Sequence, residues 1–293
     1  MQHIPVLLDA FLLFFQDKDI RCFIDATLGA AGHAKALLEH HPEIIELYGL
    51  DQDMQALEIA QETLLPFAEK VHLIHGNFRS LKKHLAGKKM EGIFLDLGVS
   101  SMQLDRPEKG FSVYKEGPLD MRMDQTQPLT AEVVINTFSE RELGTIFREL
   151  GEEPRWRAVA KTLVEVRKKR RIKTTTELSE ALKHTLTWGG RRGKKIHPMT
   201  LVFQALRIFV NDELKVIEEV IPQVLELLVP GGRLGIITFH SLEDRIVKHT
   251  FKRYALEKSV RILTKKPIIA DSMEIKRNLR SRSAKMRFVE KCE

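Results

Sequence analysis

Cysteine is nearly absent from this chain. Only Cys22 and Cys292 occur among its 293 residues. Two thiols so far apart cannot build a disulfide framework or a cysteine-rich metal site, and their scarcity fits a reducing cytosol. No metal site is expected. Long apolar runs are lacking too: none reaches the roughly 18 residues that suggest a membrane span, so no membrane partner is expected. No basic stretch precedes the apolar residues of HIPVLL, so no secretion signal is expected, and the cytoplasm is the expected location. Repeats and low-complexity tracts are missing, which excludes solenoids and arrays.

What is present reads as a globular protein. The apolar share of 43% predicts a buried core, and the length fits one large domain or two ordinary ones. Net charge is +7 and uneven. Residues 155–173 carry nine basic side chains and one acid; residues 265–287 carry eight and two. A single run of this kind is explained by a solvated helix face. Two runs, plus RRGKK at 191–195, point to a partner with a phosphate backbone.

The apolar pattern alternates between strands and helices. Strands are expected at 22–25, 44–50, 71–74 and 92–95, with helical periodicity at 34–39, 52–65 and 78–85 between them. This order predicts a parallel sheet covered on both faces. A long loop rich in Gly, Pro and charge follows at 105–127. Helical patterns then run without a strand until 233–238, and a last edge strand is expected at 284–289. The expected architecture is α/β, a Rossmann-like sheet domain made of 1–105 and 199–293, with an all-helical insertion at 106–198.

In a parallel sheet the ligand lies beyond the carboxyl ends of the strands. The first of those ends is FIDATLGAAGH at 23–33, a strand, a turn of small residues and a helix start. Small residues let a backbone approach a ligand, and the helix aims free N–H groups at it. Asp51 ends strand two, about 20 positions on, where an acid accepts from ribose hydroxyls. Phe78 follows strand three and suits an adenine ring; Asp96 ends strand four and suits an amino group. Each has a plainer role open to it: Asp51 or Asp53 as a helix cap, Phe78 as core, Asp25 as a tether of the turn. Nicotinamide dinucleotides and S-adenosylmethionine both use this geometry. The G-x-G-x-x-G fingerprint is incomplete because Ala30 and Ala31 interrupt it. A donor without phosphates tolerates those methyls, which tips the reading toward S-adenosylmethionine.

Longer motifs carry a resemblance. They include HIPVLL at 3–8, DATLGAAGH at 25–33, GLDQD at 49–53, HGNF at 75–78 and LDLGVSSMQLD at 95–105. GFS at 110–112, GPLDMRMD at 117–124, GEE at 151–153, HPMTLVFQALRI at 197–208, FHSLEDRIVK at 239–248 and NLRSRSAKMR at 278–287 complete the set. With these, the chain resembles the small-subunit ribosomal RNA cytosine-N4 methyltransferases, nearly end to end. The resemblance implies a class I methyltransferase that uses S-adenosylmethionine to methylate a cytosine amine in the decoding region of 16S RNA. It implies cofactor contacts at Ala31, Gly32, His33, Asp51, Phe78, Asp96 and Gln103. Two positions depart from the family pattern: Ala31 stands where a glycine is usual, and Leu279 where a proline is usual. A slightly shifted turn is expected at Ala31.

The chemistry agrees. A cytosine amine is a poor nucleophile; acceptors against its N–H groups localise the lone pair, and an in-line methyl held close completes the requirement. Methylation at C5 would want a cysteine nucleophile, and Cys22 sits at the wrong end of its strand. The amino-methyltransferase signature Asp/Asn/Ser-Pro-Pro-Tyr/Phe is missing after strand four; DLGVSS stands there. Asp96, Ser100, Ser101 and His240 are therefore candidates for orienting the amine, with an N-cap or core role equally open to His240, and no catalytic residue is singled out. Arg280 and Arg282, with the basic helix around 155–171, are expected to hold small-subunit RNA. Trp156 and Trp188 are either base-stacking rings or core anchors. A nicotinamide-dependent oxidoreductase, a non-catalytic assembly factor and a DNA amine methyltransferase are the alternatives. A monomer and a homodimer are both compatible with the sequence.

Overall fold

A computed structural model describes residues 4–98, 106–186 and 197–293. The chain divides into two compact units, Met1–Gly98 with Leu214–Glu293, and Val99–Glu213.

The first unit is built on a seven-stranded sheet in the order β3-β2-β1-β4-β5-β7-β6. Its strands are β1 Cys22–Asp25, β2 Glu46–Asp51, β3 Val71–His75, β4 Met90–Asp96, β5 Leu228–Thr238, β6 Val260–Ile262 and β7 Lys285–Lys291. The first five pair in parallel, and β7 pairs antiparallel with both β5 and β6. Alternation of side chains across the strands gives two cores. Phe23, Leu47 and Phe94 face one core with Phe11 of α1 (Leu8–Phe15), Leu37 of α2 (Gly32–His40) and Leu57 of α3 (Met54–Thr63). Ile24, Ile93 and Leu95 face the other, with Leu81 of α4 (Leu81–His84), Val220 of α10 (Glu213–Leu227) and Val247 of α11 (Ser241–Leu256). Burial on both faces is why β1 and β4 read as continuous apolar runs.

Two expectations need correction here. The strand expected at the sheet edge is interior, because β7 lies between β5 and β6. The true edge on that side, β6, is three residues long, and three residues carry no legible period. The other correction is the end of the insertion. Residues 199–213 belong to the helical unit, not to the sheet. The helix α9 (Thr200–Asn211) buries Val202, Phe203, Ala205, Leu206 and Val210 in that unit's own core.

The helical unit also contains α5 (Ala131–Thr137), α6 (Glu140–Glu149), α7 (Trp156–Arg167) and α8 (Thr175–Leu182). Reciprocal capping boxes start α6 (Ser139 with Glu142) and α8 (Thr174 with Glu177). The loop ahead of α5 is pinned by Asn211, which donates to the Met121 carbonyl and accepts from the Met123 N–H. Gly110 is required within that loop: a Cβ there would meet the Pro118 carbonyl oxygen at 2.1 Å.

Candidate active site

The sheet has its topological switch at β1, where the chain leaves toward β2 on one side and β4 on the other. Asp25, the last residue of β1, lies opposite Gly49 and Phe94. β2 and β4 each continue two residues further, to Asp51 and Asp96. The chain beyond Asp25 continues between those two ends, the Ala26 N–H donating to the Phe94 carbonyl and the Leu28 N–H to the Leu50 carbonyl, so residues 26–29 floor the notch at this end of the sheet. Three carboxylates on three adjacent strands border it.

The turn after β1 fills the floor of the notch. Gly29 has φ +52° and Ala31 φ +64°, both in the left-handed region. Gly32 then opens α2 without any side-chain cap, so the first N–H groups of that helix are left for an acceptor. The left-handed conformation explains why glycine is usual at position 31; a Cβ costs roughly 1–2 kcal/mol there. The Ala31 methyl is fully buried, which returns about 0.8 kcal/mol.

Asp51 holds the turn from the side. Its Oδ2 accepts from the Gly29 N–H at 2.8 Å and its Oδ1 from the Asp53 N–H at 2.9 Å. The cap of α3 is Asp53, which accepts from the Gln55 N–H; Asp51 is not the cap. Each Asp51 oxygen retains a second lone pair for hydroxyl donors. Asp25 accepts from the Thr27 N–H and is 2% exposed. Burial pushes its carboxyl up to about 7, with the nearby Asp51 charge adding to the rise. Burial also raises Asp51, and it raises Asp96 well above the usual carboxylate range, with Asp25 and Glu243 adding to it. A site that disfavours its own negative charges is one a cation completes.

Two contributors carry no local sequence signal. Thr27 Oγ1 accepts from the Asp96 N–H and ties the end of β4 to the turn. The arm at residues 4–7 lies against the turn after β1: His33 Nε2 donates to the Val6 carbonyl at 2.9 Å, and a Cβ on Gly32 would meet Pro5 at 2.5 Å. Glu274 in α12 (Ser272–Arg277) in turn accepts from the Leu7 N–H at 2.6 Å.

The structure thus brings Ala31, Gly32, His33, Asp51 and Asp96 to one notch. Phe78, just beyond β3, is half-buried and packs against the core that includes Leu81. His240 caps α11, its Nδ1 accepting from the Glu243 N–H. Arg280 and Arg282 lie exposed on a short turn before β7. Ser100, Ser101, Gln103, Trp188 and the RRGKK segment lie outside the described residues. Trp156 is a half-buried anchor against Gly144, with the Arg157 guanidinium 4.2 Å from its ring centroid. A cavity of about 400 Å³ opens elsewhere, at the amino ends of β4 and β5 among Lys89, Leu228 and Lys291.

The family model of the MraW methylases matches residues 1–292. The chain belongs to the MraW methylase family. It is 48% identical over 311 residues to the ribosomal RNA small subunit methyltransferase H of Protochlamydia amoebophila (strain UWE25), covering 99% of this chain and 98% of that protein. It is 47% identical over 290 residues to the protein of the same name in Chlamydia caviae, covering 99% and 97%. Among solved structures, an rRNA methylase from Streptococcus thermophilus aligns over all of both chains at 12% identity and a TM-score of 0.47. As an MraW methylase, the chain is a methyltransferase that uses S-adenosylmethionine. An uncapped helix N-terminus suits the carboxylate end of such a donor, and the raised carboxylates suit its positive groups.

Proposed function

We propose that this chain transfers a methyl group from S-adenosylmethionine to the exocyclic N4 amine of a cytosine in the decoding region of 16S ribosomal RNA. The observation that carries the reading is the notch itself: three carboxylates and an uncapped helix start at the switch point of a methylase sheet. Two relatives near 50% identity are named for the small-subunit RNA.

The residues fit the cofactor. Asp51 would take the ribose hydroxyls on lone pairs the turn leaves open, and Phe78 would lie against the adenine. Ala31, Gly32 and His33 would offer the helix N-terminus to the methionine carboxylate, and Asp96 and Gln103 would complete the contacts. The bound donor supplies a methyl carried on a sulfonium. The chain's own task is to desolvate, align and select the amine. Asp96, Ser100, Ser101 and His240 are our candidates for that, and Arg280 and Arg282 for holding the RNA. The helical unit, with Lys168, Lys169 and Arg170 exposed on it, is assigned to RNA recognition.

The test is incubation with labelled S-adenosylmethionine and small subunits from a strain lacking the protein. Label on cytosine N4, located by mass spectrometry of nucleosides, is the expected result. Absence of label at that atom would sink the reading.

A further inference from the structure

Two buried side-chain atoms at this site have no hydrogen-bond partner among the described residues: Asp96 Oδ1 and His240 Nε2. Leaving such groups unpaired is costly, so each invites a ligand. They lie at the carboxyl ends of adjacent strands. Asp96 ends β4 opposite Ile237 of β5, and His240 follows β5 as the N-cap of α11. Glu243 stands near both. It lies 3.3 Å from His240 Nε2, without a hydrogen bond between them, and its charge acts on Asp96.

The protonation state of His240 follows from its cap. Nδ1 accepts from the Glu243 backbone N–H at 3.3 Å, and a backbone N–H can only donate. Nδ1 therefore carries the lone pair, the ring is neutral, and Nε2 carries the hydrogen. The side chain is 8% exposed. Asp96 Oδ2 lies 4.0 Å from His33 Nδ1, toward the cofactor turn, while Oδ1 is left enclosed. The pair is thus one acceptor and one donor, at the carboxyl ends of neighbouring strands.

We infer that Asp96 Oδ1 and His240 Nε2–H read the amidine edge of the target base, the acceptor taking the N4–H of cytosine and the donor reaching N3. His240 is then a specificity-determining residue. Uracil presents the reverse pattern, a carbonyl at O4 and an N–H at N3, and would leave both atoms opposed. Adenine shares the amidine pattern and is left to be rejected by size. A donor at N3 does not activate the amine, so His240 selects and aligns rather than drives the reaction. This inference rests on the proposed function for the identity of the base, but its test does not need turnover.

The test is titration of free nucleosides into the protein loaded with S-adenosylhomocysteine, read by ligand-observed NMR. Cytidine is expected to bind at least tenfold more tightly than uridine and than 3-deazacytidine, whose C–H replaces N3. His240→Asn keeps a good N-cap but cannot reach the base; it is expected to lose the cytidine preference over 3-deazacytidine while retaining the thermal midpoint. Equal binding of cytidine and 3-deazacytidine to the wild type overturns the inference, whatever the variant does. So does undiminished discrimination in His240→Asn, or no nucleoside binding at all. An absence of label on cytosine N4 with normal nucleoside discrimination would instead strike only the proposed function.

Discussion

Asp51 and Asp25 are neighbours at one sheet end with different duties. Asp51 braces the turn by two backbone hydrogen bonds and keeps lone pairs outward. Asp51→Ala is expected to weaken S-adenosylmethionine binding more than tenfold; an unchanged dissociation constant by calorimetry would show the ribose assignment to be wrong. Asp25 is buried and carries a folded-state pKa near 7, above its unfolded value. The folded state then holds the proton more tightly than the unfolded state. Stability from this group is fully present below about pH 4 and is lost as pH rises through about 7. Glu290 runs the other way. The cations Lys18, Arg233 and Arg261 around it hold it at about 2 against the rise that burial alone would give, so its contribution is present above about pH 4.5 and lost as pH falls toward 2. Asp25→Asn keeps the acceptor for the Thr27 N–H and removes only the titration. Its thermal midpoint is expected to exceed that of the wild type at pH 8 and to converge with it near pH 4, by differential scanning calorimetry. The strand-end acids were legible in the sequence because an acid closing an apolar run marks the carboxyl end of a strand. Thr27 and the arm at residues 4–7 were not, because their roles exist only through contacts with residues far along the chain.

At the scale of elements, the basic helix α7 is less open than its composition suggests. Arg155 donates to the Thr185 carbonyl, Arg167 to the Ile135 carbonyl, and Arg171 pairs with Glu132. Lys168, Lys169 and Arg170 are exposed just past its C-terminal end, where positive charge also suits the helix dipole. If these three touch RNA phosphates, neutralising them together to Gln lowers the slope of log affinity against log salt by about 2, at roughly 0.7 per contact. An unchanged slope in filter binding at several salt concentrations would leave them as a solvated helix end. The periodic helices were readable because each buries a continuous face, and strands β1, β2 and β4 because each buries a continuous run. β6 was not readable at three residues, and whether β7 is edge or interior depends on which strand lies beyond it. The allegiance of α9 was hidden for a similar reason: its apolar stripe says that it packs, not against what.

Across the whole molecule, residues 4–7 and 274–278, far apart in the sequence, meet beside the turn after β1. The arm at residues 4–7 is held by Glu274 and by Asn278, whose Nδ2 donates to the Ile4 carbonyl at 3.0 Å. Releasing that arm frees the Val6 carbonyl from His33. Glu274→Ala is expected to cost about 1 kcal/mol of stability, to speed amide exchange at Leu7 in hydrogen-exchange mass spectrometry, and to weaken cofactor binding severalfold. Protection at Leu7 equal to the wild type would show that the arm is held by its apolar contacts alone.

The insertion of β7 between β5 and β6 has a further result for assembly. The ribosome makes β6 before the ribbon that must separate it from β5, so for a time the apolar flank of β5 has no neighbour to bond. An open flank of that kind accepts any matching ribbon, including one lent by a second copy. Crowded nascent chains, or variants that loosen β7, are thus drawn toward exchanged pairs; a lent β7 carries the same ion-paired side chains, so what favours the chain's own ribbon is its tether through β6.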